Sequence, residues 1–135
     1  MGWYGMIKSI IDVAGYWSIV LFVDVDYDNF DIIESALTDI LAPISIIDEI
    51  YDKISYKPNS GVTFTNSEYR SSVVCINKGS TKEQVINTIS HEADHVQAAI
   101  CDYYNVPLDS EQAAYLIGYL VGKMYYHSRR LFCSY

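Results

Sequence analysis

From Ser80 to Tyr104 neither glycine nor proline interrupts the chain, and Val85, Ile86, Ile89, Val96, Ala99, Ile100 and Tyr103 recur at helical spacing. This stretch can form little other than a helix of roughly 20 residues, running until Pro107 approaches. Ser80-Thr81-Lys82-Glu83, a hydroxyl residue with a glutamate three positions on, reads as the capping box that starts it. About three turns in stand His91-Glu92-Ala93-Asp94-His95. Side chains four apart on a 3.6-residue period share a face, so both imidazoles project together.

Two imidazoles so placed can share one metal ion, and the glutamate between them sits where a metal-bound water needs a base. The pattern points to a zinc-dependent hydrolase; the plainer reading is a pair of ordinary histidines on an amphipathic helix. A catalytic zinc commonly takes three protein ligands and keeps one position open. The third is sought on the next helix, which Pro107 and the Asp109-Ser110-Glu111-Gln112 capping pattern introduce. Asn105 to Ser110 spans roughly 20 Å when extended, enough to return to the level of the histidines, so Glu111 is the candidate ligand. An acidic residue in a first helical turn is also what the helix dipole favours. Asp109, the expected N-cap, and Asp102 are the reserves. Tyr115, one turn after Glu111, is the tyrosine placed to stabilise an oxyanion, although packing explains most tyrosines among the 13 present.

His91, Glu92 and His95, followed by Glu111 on a second helix, resemble a zincin metallopeptidase of the glutamate-ligand (gluzincin) type. The form is compact, like the short proteins found in bacteria and among phage genes. The resemblance covers roughly residues 62–124. It implies zinc held by His91, His95 and Glu111, Glu92 as general base and then proton donor to the leaving amine, and a peptide or protein substrate bound as an extended segment. The chain departs from that pattern at Ala93 and Asp94, in the 15 residues that separate His95 from Glu111, and at Tyr115, where an aspartate often orients a histidine. Those departures support a second reading, a non-enzymatic zincin-like protein with a structural or partner-binding role and a metal that staples helices.

At 135 residues, half of them hydrophobic and 19% charged, the chain suits one packed domain spanning 1–135. A net charge of −8 disfavours nucleic acid, which needs clustered Lys and Arg. Arg129-Arg130 reads as a helix-end complement. Residues 7–23 are apolar-rich, but Lys8, Asp12, Gly15 and Ser18 break them, so no membrane span is expected. No signal peptide is read at the start, and Gly2 is weak evidence for myristoylation with Met at position 6. Cys75, Cys101 and Cys133 lack Cys-x-x-Cys spacing and read as free thiols in a reducing cytoplasm. The acidic run from Asp24 to Asp31 lacks the glycine and glutamate of a calcium loop and reads as solvated.

Residues 17–25 read as a buried strand, 29–41 and 46–54 as helices, 57–61 as a turn, and 62–65 and 71–76 as strands, before the two long helices. The order gives an α+β fold, a minimal zincin-like domain whose small sheet packs on the metal-binding helix, with a second long C-terminal helix. One of the two later strands is expected beside the site as an edge on which an extended peptide can pair. Substrate specificity and oligomeric state are not legible in these patterns.

Overall fold

Two runs, Trp17–Val23 and Ser71–Ile76, are apolar at most positions, and a strand buries both faces only in the middle of a sheet. The computed structural model, which describes residues 5–25, 27–56 and 60–133, places them there. The elements are β1 (Ile7–Val13), β2 (Trp17–Val23), α1 (Phe30–Asp39), α2 (Ile44–Tyr56), β3 (Gly61–Asn66), β4 (Ser71–Ile76), α3 (Lys82–Tyr104) and α4 (Glu111–His127). The four strands form one mixed sheet in the order β1-β2-β4-β3. The central pair is parallel, Ser18 opposite Ser71 through Val23 opposite Ile76, and both flanking pairs are antiparallel. This is the expected α+β fold.

Helices cover both faces of the sheet. On one, Ile19, Leu21, Val23, Val74 and Ile76 meet Val85, Ile89, Val96 and Ile100 of α3 and Leu120 and Met124 of α4. On the other, Phe22, Val73 and Cys75 meet Ile33 and Leu37 of α1 and Ile47, Ile50 and Ile54 of α2. The alternation along β2 and β4 assigns each side chain to one core or the other. Trp17 is buried at the edge of the first core, its indole donating to Ser72 Oγ at 3.1 Å, which in turn lies 2.7 Å from Thr65 Oγ1. Among the described residues no helix is long and apolar enough to cross a membrane.

Residues 7–13, to which the sequence periodicity assigns no element, form β1. They pair with β2 through a tight turn in which Ala14 (φ 51°) and Gly15 (φ 79°) are both left-handed and Tyr16 N–H donates to Val13 O. Positive φ at both central positions is the mark of a type I′ turn, here within a three-residue loop, since Val13 pairs with Trp17. Tyrosines from the helical layer hold this hairpin down. Tyr104 and Tyr119 donate their hydroxyls to the carbonyls of Tyr16 and Asp12, each at 3.1 Å, and Tyr104 packs edge-on against Tyr16 and Trp17. Their hydroxyls thus bond the hairpin backbone.

Both long helices start one residue later than the sequence reading places them. Thr81 rather than Ser80 caps α3, accepting from Gln84 N–H, while Gln84 Oε1 accepts from Ser80 N–H. Ser110 rather than Asp109 caps α4, accepting from Ala113 N–H at 3.2 Å. Two residues able to cap stand side by side in each case, and the second of the pair makes the capping bond. Asn105, left-handed at φ 58°, ends α3 with Val106 N–H bonded back to Cys101 O. Arg129 follows the helix-end expectation, donating to Tyr126 O, but Arg130 ion-pairs with Asp24 at 3.1 Å, so the acidic run is not wholly solvated. The rest of that run at Asp26, the turn cluster at Lys57, Pro58 and Asn59, and Gly2 lie outside the described residues.

Alanine at a left-handed turn position costs on the order of 1 kcal/mol relative to a residue that adopts it readily. Ala14→Asn, giving Asn-Gly at the turn, is expected to stabilise the fold by about 0.5–1 kcal/mol. A urea midpoint that fails to rise at unchanged slope would refute this account of the turn.

Candidate metal centre

Along α3, Thr88, Glu92, His95 and Ala99 recur at spacings of four, three and four, a strip that runs past the edge strand β3. The strand can come close because it begins with glycine. A Cβ on Gly61 would lie 2.7 Å from Cys75 O, 2.7 Å from Thr88 Cγ2 and 2.9 Å from Glu92 Cγ. Two residues on, Thr63 Oγ1 donates to Glu92 Oε1 at 2.9 Å. Glu92 is only 2% exposed, and Thr63 is the one hydrogen-bond donor found on its carboxylate among the described residues. A carboxylate so buried is poorly compensated by a single hydroxyl and favours a cation beside it.

The imidazoles of His91 and His95 stand at that carboxylate, both exposed to solvent. Their Nε2 atoms are 3.2 Å apart, and the rings are nearly perpendicular at 84° with centroids 4.7 Å apart. Two nitrogens each bound to a tetrahedral zinc at its usual bond length are separated by roughly 3.3 Å, a spacing close to that of this pair. One ligand atom from each of His91, Glu92 and His95 lies within 4.8 Å of the others, and this is the one group of its kind among the described residues.

Two clefts adjoin at Glu92. One, of about 240 Å³, is lined by Ser60, Gly61, Gln84, Asn87, Thr88 and His91; the other, of about 270 Å³, by Val62, Thr63, Thr65, His95 and Ala99. Lys53 of α2, half-buried, lines both.

Glu111, the expected third ligand, lies outside the group of His91, Glu92 and His95. Gln97 Nε2 donates to Ala113 O at 2.8 Å, which docks α4 on the side of α3 that carries Gln97. At 100° per residue that side is roughly 200° around the helix from His95. Glu111, the first residue of α4, is exposed and outside the metal-capable group, in the position the helix dipole favours. Tyr115 is 76% exposed and lines a cleft with Val13, Tyr16 and Gln112 beside the hairpin turn. The extended reach of residues 105–110 bounds a distance but says nothing about which face the returning helix meets. Its apolar stripe, Ala113, Leu120 and Met124, decides that. Asp102 and Asp109 are likewise exposed and outside the group.

Thr63, Gly61 and Lys53 are the neighbours that motif reading passes over. For Thr63 a signal exists: in Gly61-Val62-Thr63-Phe64-Thr65 the hydroxyls alternate with apolar residues, which puts both threonines on one face of a strand. The thiols form no part of the site. Burial pushes the Cys75 thiol up to about 12, with the Glu92 charge adding to the effect. Cys75 and Cys101 are buried and Cys133 is exposed, all three free.

Comparison with protein-family models, curated proteins and solved structures gives no match for this chain.

Gly61→Ala is expected to destabilise the fold by about 1–3 kcal/mol, because its methyl meets backbone as well as side chains. A thermal midpoint equal to that of the parent would remove the close approach from the account. A thiol reagent at pH 8 should label Cys133 quickly in the folded protein and Cys75 only after unfolding.

Proposed function

We propose that this protein binds a divalent ion, zinc by its donor chemistry, between His91 and His95 and hydrolyses peptide bonds there, with Glu92 as general base. The observation that carries the reading is the 3.2 Å separation of the two Nε2 atoms with the Glu92 carboxylate beside them. An ion held by the two imidazoles acidifies water and polarises a carbonyl oxygen. Thr63 holds Oε1 of Glu92, which leaves Oε2 to take a proton from the attacking water. As the water oxygen bonds to the carbonyl carbon, the carbonyl π pair moves onto oxygen. When that pair returns, the C–N bond breaks and Glu92 passes the proton to the departing nitrogen.

The sheet supports the substrate class. β3 is an edge strand, so one side of its main chain has no strand partner among the described residues, and it runs along the cleft that holds His95. An extended peptide pairing with it lies along the metal helix. A purely structural metal fits less well. His91 and His95 belong to one helix, so an ion held by them alone staples no second element.

Elemental analysis before any chelator is used should find zinc in the purified protein, and His91→Ala or His95→Ala should each lose it. Glu92→Gln should keep the zinc and hydrolyse dye-labelled unfolded casein at least about 100-fold more slowly. Glu111→Gln should leave metal content and rate unchanged. Full zinc in either histidine variant, or undiminished rate in Glu92→Gln, contradicts the proposal.

A further inference from the structure

Lys53 lines both clefts that meet at Glu92, and a cationic residue beside a candidate metal centre needs a reason. It projects from α2, on the opposite side of the sheet from α3, where Ile50 and Ile54 are buried in the second core. The side chain is half-buried, as long cationic side chains are at the rim of apolar surface. No hydrogen bond or ion pair to Lys53 is found among the described residues, although Asp48, Glu49 and Asp52 lie on the same helix. It lines the cleft of His91 and the cleft of His95 alike, and the other residue common to both is Glu92. A group that recognised a substrate terminus would line one end only. Lys53 and Glu92 are thus the two residues that border both clefts.

With an ion bound by the histidines, the positive charge of that ion and of Lys53 exceeds the single negative charge of Glu92. The surplus is compensated when negative charge develops between them, which is what happens to a carbonyl oxygen under attack. We infer that Lys53 is a catalytic residue of this site, its ammonium receiving the charge that builds on the carbonyl oxygen of the scissile peptide bond. It takes the role that the sequence pattern assigns to Tyr115. The inference rests on the hydrolase reading above.

The test uses the full chain loaded with zinc and compares Lys53→Met, which keeps the stem, with Lys53→Arg, which keeps the charge. Lys8→Met, at an exposed position of β1, controls for net charge. The probes are unfolded casein and a phosphinic dipeptide, a tetrahedral anion that copies the charge of the attacked carbonyl. Lys53→Met should retain zinc, lower kcat about 100-fold with KM little changed, and weaken phosphinic dipeptide binding in calorimetry by a similar factor. Lys53→Arg should recover most of both losses, and Lys8→Met should match the parent. Equal kcat and equal phosphinic dipeptide affinity in Lys53→Met overturn the role of Lys53 and leave the hydrolase reading standing. A change in KM alone also overturns it, because that marks substrate binding. A parent protein that neither holds zinc nor cleaves casein ends the hydrolase reading, and this inference with it.

Discussion

The contact between Glu92 and Thr63 is where the architecture becomes a site. A buried carboxylate is costly unless charge or hydrogen bonds surround it, and here the described structure supplies one hydroxyl from an edge strand. That hydroxyl reaches Glu92 only because Gly61 lets the strand approach the helix within the space a methyl group would fill. The strand in turn is held by its register with β4, from Gly61 opposite Ile76 to Asn66 opposite Ser71. The helix therefore presents two wet imidazoles and one dry carboxylate on adjoining strips, and the dry one is fixed.

Much of the scaffold was legible because its signals are periodic. The α3 and α4 stripes, the apolar runs of β2 and β4 and the helices at α1 and α2 all follow from spacing. β1 was not legible. Its turn is Ala14-Gly15 rather than a pair that announces a left-handed turn, and Lys8, Ser9 and Asp12 blur the alternation of Ile7 to Val13. The helix starts were legible to within one residue, since Ser80 and Thr81, like Asp109 and Ser110, are rival caps of similar strength.

The site divides along the same line. His91, Glu92 and His95 lie within one helix, so helical geometry alone brings them together, as the structure has them. Glu111 and Tyr115 depended on tertiary geometry, namely which face of α3 the returning helix meets. Chain length constrains that only loosely, whereas the bond from Gln97 to Ala113 O and the burial of Leu120 and Met124 fix it. Lys53 lay beyond any local pattern, because its place depends on a sheet edge that brings opposite faces of the domain together.

That arrangement, with helices on both sides of a thin sheet, has a mechanical corollary. His91 and His95 ride on one layer and Lys53 on the other, and each layer is anchored in its own hydrophobic core. The gap between these side chains is therefore a gauge of how the layers are seated. Ile50 and Ile54, remote in sequence from the histidines, flank Lys53 on α2, so the packing on the far side of the sheet bears on the clefts that the two layers share.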